Sequence, residues 1–301
     1  MVDNELEILR EALREHVSAL AIDIGPRTPA NGNRLALAAD YIHSVFEEAG
    51  LFVTRQDYQY YDQRVTNVLG TLPVDTEVSA YYVVAIIKTL SPALRVQDGN
   101  ASAVAVMLEL ARRLRYERIK AQVLFGAFTL EEPPAYLTGH QGSRMFVRSC
   151  QASGDHVLGA IILEMVGFTA PRQHYPYLAR WPGYPAEGNF IGIIANWRSW
   201  RFGRAVLRGF RKNTELPVEA LFLPFNGQIL PETRLSDHAS FWDAGLPALM
   251  VTDTAFFRNP NYHLPSDTID TLDFTFMAEL VKSLELALHE LPPASTLIIS
   301  T

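Results

Sequence analysis

The stretch AQVLFGAFTLEEPP, residues 121–134, decides the fold class of this chain. Its first ten residues are apolar enough for a buried strand, and the prolines at 133 and 134 end that strand at once. Glu131 and Glu132 therefore stand at the carboxyl end of a strand, where α/β sheets place their chemistry. Because neighbouring side chains on extended backbone point opposite ways, one carboxylate could hold a metal while the other handles a proton. A solvated acidic turn is the alternative for an isolated pair.

Two further carboxylates and a histidine occupy similar positions. Asp98 opens DGNASAVAVMLELARRL, a loop that leads into a helix, with helix capping as its alternative role. Glu164 ends the apolar run GAIILEMVG, where a carboxylate is costly to bury unless it is paired or bound to a cation. His263 lies in a loop between two prolines and could also be a plain surface residue. Together these oxygen and nitrogen donors predict a zinc site.

The composition of the chain limits its class and its partners. With 301 residues and 48% hydrophobic composition, residues 1–301 can form one α/β domain with a large core. The net charge of −7 argues against a nucleic-acid partner. A signal-type apolar start and a membrane-spanning run are both missing, so we expect a cytoplasmic protein without a membrane partner. The single cysteine, Cys150, excludes an internal disulfide.

Hydrophobic periodicity predicts alternating helices and strands. The helix that follows Asp98 and the strand before Glu131 should form a β-α-β unit. An arginine-rich helix over residues 200–214 is interpreted as a solvated face, and the proline- and aromatic-rich residues 171–185 as a loop. The other predicted helices cover residues 5–21, 33–49 and 273–291, and the other strands residues 52–60, 65–71 and 78–89.

Several segments, in their order along the chain, resemble the zinc aminopeptidase and glutaminyl cyclase superfamily. They are TNVLGTLP, DGNASAVAVMLELARRL, FTLEEPP, GSRMFV, LEMVGF and LSDHASFWDAGLPALMVTDTAFFRNPNYH. The resemblance runs from about Leu9 to Leu291, and the block from Ser236 to His263 is its most specific part. It implies a twisted, mixed β-sheet with helices on both faces and metal ligands in loops at strand ends.

The resemblance also implies roles for individual residues. Members of the family typically hold two zinc ions. Asp98 matches the aspartate that bridges them, Glu132 and His263 match the other ligands of the first zinc, and Glu164 matches the carboxylate of the second. Glu131 matches the general base. Asp237 matches an aspartate that, in the cyclases, shares a proton network with that base and with the carboxylate matching Glu164.

In the family the loop at 171–185 can border the substrate pocket. This gives candidate lining roles to Tyr175, Tyr177 and Trp181, with packing as the alternative.

The chain departs from the family pattern at the second metal. Ile87 stands where the family has a histidine ligand, and Thr89 stands where that histidine has its aspartate partner. Gly99 replaces the second member of the acidic pair that begins at Asp98. The second zinc would keep at most Asp98 and Glu164. We therefore expect one zinc rather than two, held by three protein ligands with one open position, which is the pattern of a catalytic site.

Three functions are compatible with these residues. The first is a zinc-dependent, aminopeptidase-like hydrolase of peptides or small amides, with Glu131 as general base. The second is a non-catalytic relative that keeps the pocket as a binding surface, which the residues at 87, 89 and 99 favour. The third is a glutaminyl cyclase-like acyl transferase. The intact Glu131, Asp98, Glu132 and His263 favour catalysis.

Overall fold

The computed structural model describes residues 2–27, 32–73, 80–87, 101–117, 119–176 and 183–293. Its strands are β1 (Phe52–Tyr60), β2 (Gln63–Thr71), β3 (Ala80–Ile87), β4 (Val123–Phe128), β5 (His156–Glu164), β6 (Ile191–Asn196), β7 (Val218–Leu223) and β8 (Ala248–Thr252). Its α-helices are α1 (Val2–Ser18), α2 (Gly32–Glu48), α3 (Ala103–Leu114), α4 (Gly142–Ser153), α5 (Trp200–Phe210), α6 (His238–Asp243) and α7 (Phe274–His289).

The strands form one mixed sheet in the order β1-β2-β4-β3-β5-β8-β6-β7. The four central strands, β4, β3, β5 and β8, run parallel, whereas β2 and β6 join them antiparallel on either side. Within the parallel set, Ile87 is paired with Phe128 and Glu164 with Thr252. The carboxyl ends of these strands consequently share one edge of the sheet, and their following loops can meet there.

Helices cover both faces of the sheet, and strand β3 shows why. Its side chains alternate, so that Tyr82, Val84 and Ile86 join a core shared with α1, α2, α3, α5 and α7. Tyr81, Val83 and Ala85 point to the other face and join a second core with α4 and α6. Both sides of β3 are therefore apolar, as expected for a parallel strand buried from both directions.

The predicted fold class, a twisted mixed sheet with helices on both faces, is confirmed, and the differences concern element ends. The first helix becomes a π-helix over Ala19–Ile24. Strand β4 stops at Phe128, and Leu130 has a left-handed φ of +62°. Glu131 and Glu132 thus follow a turn rather than an extended strand, so the expected strand alternation does not apply to them. Helix α5 ends at Phe210 rather than near residue 214.

Candidate active site

Five of the predicted site residues come together at the shared carboxyl edge of the sheet. Glu131 and Glu132 follow β4, and Glu164 is the last residue of β5. Asp237 directly precedes α6, and His263 lies in the loop between β8 and α7. The elements that carry them are far apart in the sequence, and the parallel register of the central strands brings these positions to one edge.

Glu131 is a buried carboxyl group with other carboxyl groups around it. Only 8% of its surface is exposed. Burial, together with repulsion from Glu164, Glu132 and Asp237, raises the pKa of Glu131 well above its usual value. A carboxyl group in such surroundings takes up a proton more readily than one in water. A buried carboxyl group of this kind is a side chain that can accept a proton in general-base chemistry.

Glu132 and His263, two of the predicted metal ligands, lie side by side. Oε1 of Glu132 lies 3.7 Å from Nε2 of His263. His263 has a φ of +57°, and its ring stacks on that of Tyr262 with 3.9 Å between centroids. Burial lowers the pKa of His263, which favours the neutral imidazole that a metal requires. Two donors bound tetrahedrally to one zinc lie about 3.4 Å apart, so the observed separation fits a shared ion.

Glu164 is tied to the loop that carries Asp237. Oγ of Ser236 donates a hydrogen bond to Oε2 of Glu164 at 2.7 Å. Burial raises the pKa of Glu164 well above its usual value, and repulsion from Glu132, Asp237 and Asp253 adds to this effect. The hydrogen bond from Ser236 works in the opposite direction. Glu164 is thus held in orientation through its Oε2.

Asp237 is fully buried and is held from one side only. Its Oδ1 accepts hydrogen bonds from Nε2 of Gln141 at 2.7 Å and from Oγ of Ser143 at 2.5 Å. Its Oδ2 is buried and has no hydrogen-bond partner among the described residues. Burial raises the pKa of Asp237 to about 6, although the Ser143 and Gln141 hydrogen bonds oppose this shift. The side chain therefore keeps one acceptor free next to the other carboxyl groups.

The carboxyl groups and the imidazole at this edge of the sheet are donor types that bind cations. Burial raises the pKa of all four carboxyl groups at positions 131, 132, 164 and 237, which means that their charges lack full compensation. The buried Oδ2 of Asp237 lacks a partner in the described part of the chain, and a neutral imidazole faces Glu132. Oxygen donors with one imidazole suit zinc. No group of three His, Cys, Asp or Glu side chains that could hold a metal occurs among the described residues.

Several sequence predictions lie outside the described residues. They concern Asp98, Thr89, Gly99, Tyr177 and Trp181. Asp98 would be the third ligand of the predicted zinc, so the described residues include only two of the three. For Ile87 the backbone is described, and its pairing with Phe128 puts this position at the site edge of the sheet.

The structure adds side chains that local sequence patterns missed. Gln141 and Ser143 hold Asp237, and Ser236 holds Glu164. Tyr262 lies against His263, and the carboxyl groups at 164, 132 and 131 help burial to raise its pKa. The family resemblance was the one sequence signal that could have pointed to three of these side chains. Its segments GSRMFV, LSDHASFW and NPNYH contain Ser143, Ser236 and Tyr262.

A cleft of about 920 Å³, the open space at its mouth included, leads away from Glu164. Its walls are mostly apolar and aromatic, with contributions from Met165, Tyr175, Phe190 and Tyr262. The rings of Tyr175 and Tyr184 stack with 5.6 Å between centroids and form one side. From the sequence, Tyr175 had two alternative roles, lining the substrate pocket or packing against the domain. In the structure Tyr175 lines this cleft. Walls of this apolar and aromatic character suit an apolar side chain next to Glu164.

Among the described helices, none has both the length and the apolar character needed to cross a membrane.

Comparisons with known proteins agree with this architecture. The glutaminyl cyclase of Bacteroides thetaiotaomicron, solved with N-acetylhistamine, has a similar structure, with a TM-score of 0.69 and 16% sequence identity over 93% of this chain and 97% of that one. BSAP, a zinc aminopeptidase from Bacillus subtilis, gives a TM-score of 0.71 and 14% identity over 93% and 95% of the two chains. At these identities the likeness concerns the fold.

Sequence comparison defines the family. The uncharacterized protein YfbL of Escherichia coli (strain K12) is 34% identical over 283 residues, which cover 90% of this chain and 85% of YfbL. The model of Peptidase family M28 matches residues 96–285, a span that begins just before Asp98 and includes the other five predicted site residues. With more than half of its length matched, this chain belongs to Peptidase family M28.

Proposed function

We propose that the protein is a metal-dependent hydrolase of peptide or other amide bonds, with Glu131 as its general base. The observation that carries this proposal is the buried Glu131 beside Glu132. Oε1 of Glu132 in turn lies 3.7 Å from Nε2 of His263. Membership of Peptidase family M28 supports the same class of chemistry. The zinc aminopeptidase named among its structural neighbours supports it as well.

The metal would be one zinc ion held by Asp98, Glu132 and His263. Glu164 would take part mainly by its charge, because the family's histidine ligand at the second metal is replaced by Ile87. A zinc ion bound there would polarise the scissile carbonyl and lower the pKa of a bound water. A neutral imidazole and a carboxylate are suitable ligands for this purpose.

Glu131 moves the proton in this proposal. Its raised pKa suits it to accept a proton from the attacking water and then to pass that proton to the leaving amine. Asp237 acts as a positioning residue. Its charge lies next to Glu131 and raises the pKa of that carboxyl group, while Gln141 and Ser143 keep Asp237 in place.

Substrate binding would use the cleft beside Glu164. The apolar and aromatic walls accept a side chain, and the carboxylate of Glu164 attracts a free α-amino group at the mouth of the cleft. In this arrangement the scissile amide follows the first residue of a peptide or small amide. We therefore propose an aminopeptidase-like preference for substrates with a free amino terminus.

The test compares two glutamine variants on a panel of fluorogenic aminoacyl amides, each with and without a blocked amino group. Glu131→Gln keeps the shape of the side chain but cannot accept a proton, so we expect turnover to fall by about a hundred- to ten-thousand-fold with bound zinc unchanged. Glu47→Gln makes the same change at a side chain that is 62% exposed, and should behave like the parent. A chelator should abolish activity, and zinc should restore it.

Three results would contradict the proposal. Hydrolysis that survives Glu131→Gln would exclude the general-base role. A zinc-loaded parent protein that cleaves no amide would favour the non-catalytic alternative, and cyclisation of peptides with amino-terminal glutamine would favour the acyl transferase.

A further inference from the structure

A basic and aromatic surface lies away from the active site, on α5 and the short 3₁₀ turn before it, Trp197–Ser199. Residues 197–212 contain six Arg and Lys residues and no Asp or Glu, in a chain whose net charge is −7. This concentration of positive charge runs against the overall composition. It therefore marks a local surface rather than a property of the whole chain.

The two sides of α5 differ sharply. Phe202, Val206 and Phe210 are buried in the core next to α7. The outer side is exposed and carries Arg201 and Arg204, with Arg208 and Arg211 further along the helix. The apolar side of the helix is therefore already occupied, and only the outer side is available to a partner.

Two tryptophans stand among these arginines. Trp197 is 64% exposed and Trp200 is 45% exposed, which is unusual for such large apolar side chains. The guanidinium of Arg204 lies 5.6 Å from the centre of the Trp200 ring. Trp197, Arg198, Trp200 and Arg201 line a shallow depression. We refer to Trp197, Arg198, Trp200, Arg201 and Arg204 as the α5 outer patch.

The charges of the α5 outer patch are not neutralised within the described part of the chain. None of its three arginines has a carboxylate within the 4.0 Å of an ion pair among the described residues, and Arg198 donates to the carbonyl of Gly245 at 3.2 Å. By contrast, Arg208 and Lys212 at the other end of α5 are paired with Glu290 at 3.4 and 2.6 Å. The patch thus offers free positive charge beside exposed aromatic rings.

We propose that the α5 outer patch docks the protein on an anionic lipid surface. Arginines attract acidic headgroups, and tryptophan rings prefer the boundary between headgroups and acyl chains. The patch is an outer helix face and a shallow depression, whereas single-stranded nucleic acids are usually held in a basic groove that follows their backbone. From the sequence we expected no membrane partner because it has no segment that could span a membrane. Docking on a lipid surface does not require such a segment.

The test is co-sedimentation of the full-length protein with two kinds of vesicle, phosphatidylcholine alone and phosphatidylcholine with phosphatidylglycerol. We expect binding only to the anionic vesicles, and release when salt is raised from about 0.1 M to about 1 M. Arg201→Glu with Arg204→Glu should weaken the partition by about thirtyfold or more. Trp197→Ser should weaken it at unchanged charge.

The matched control is Arg115→Glu with Lys120→Glu. These exposed side chains flank another exposed aromatic residue, Tyr116, and their replacement changes the net charge equally. This control should bind like the parent. Equal binding to both kinds of vesicle, binding to neither, or equal loss in the control would overturn the proposal. Tighter binding to a single-stranded oligonucleotide than to anionic vesicles would also overturn it, because the patch would then be a nucleic-acid site.

Discussion

At the scale of single residues, Asp237 combines complete burial with an incomplete set of partners. Gln141 and Ser143 donate to one of its oxygens, whereas the other has no hydrogen bond among the described residues. Its charge contributes to the raised pKa of Glu131. Removing that charge should therefore change the proton chemistry of Glu131 without removing a metal ligand.

For Asp237→Asn we expect kcat to fall by about ten- to a hundredfold, with zinc content unchanged. Because repulsion from Asp237 raises the pKa of Glu131, the acidic limb of the kcat profile should move to lower pH. The measurement is kcat as a function of pH. Asp243→Asn is the control, since Asp243 is a partly exposed carboxylate paired with Arg144 and Arg234. If kcat falls but the acidic limb of its pH profile stays in place, Asp237 has only a structural role.

His238, next to Asp237 in the chain, predicts a pH dependence of stability. It is fully buried, and its Nε2 lies 2.7 Å from the carbonyl oxygen of Thr233, to which the neutral ring donates. Burial lowers the pKa of His238 to about 4. Between about pH 6.5 and 4 the unfolded chain binds a proton at His238 that the folded chain does not, so the contribution of His238 to the free energy of unfolding should decrease as pH falls through this window.

This contribution amounts to about 3 kcal/mol over the whole window. The contribution of His238 can be isolated by urea unfolding of the parent and of His238→Gln at several pH values. Asp237 and Asp253 titrate in both proteins, so their effects cancel in the difference between the two curves. The variant should be less stable than the parent at pH 7 and should lose less stability on acidification. Parallel curves for the two proteins would show that His238 does not titrate in this way.

At the scale of elements, the sequence predicted most helices and strands because each carries its own periodic pattern. The apolar run before Glu131 predicted a strand, and β4 was found there. Asp273 was expected at the start of the last helix, and its side chain accepts the N–H of Phe276 as the cap of α7. The ends of elements were predicted less well, since the left-handed turn at Leu130 depends on tertiary packing rather than on local pattern.

The contact between α5 and α7 depends on Gly209. A Cβ atom at this position would lie 2.3 Å from Cα of Ala287 and 2.6 Å from its backbone nitrogen. Gly209→Ala should therefore lower the free energy of unfolding by about 1–3 kcal/mol, although alanine normally favours a helix by about 1 kcal/mol. Urea unfolding measures this change.

Gly192→Ala is the control for that substitution, because its Cβ would meet nothing closer than 3.5 Å. It should leave stability nearly unchanged. If Gly209→Ala were as stable as the parent, the two helices would have to lie further apart than the structure shows.

At the scale of the whole molecule, the site is assembled from separate segments between Glu131 and His263. Ser143 and Asp237, which share a hydrogen bond, are 94 positions apart, and Glu132 and His263 come from different strand ends. No local pattern contains such pairings, because they depend on sheet order and register. The individual candidates could be named from their positions at strand ends and from the family resemblance, but Ser236 and Gln141 became visible as partners only in the folded chain.

The most direct test of this account is the zinc content of the purified protein, measured by elemental analysis after dialysis against a limiting concentration of zinc. We propose that Glu132 and His263 bind the same ion. Because Ile87 stands where the family has a histidine ligand, we also expect one metal ion rather than two. We expect about one zinc per chain in the parent and almost none in Glu132→Ala or His263→Ala. Two zinc ions per chain, or one zinc that both variants retain, would contradict it.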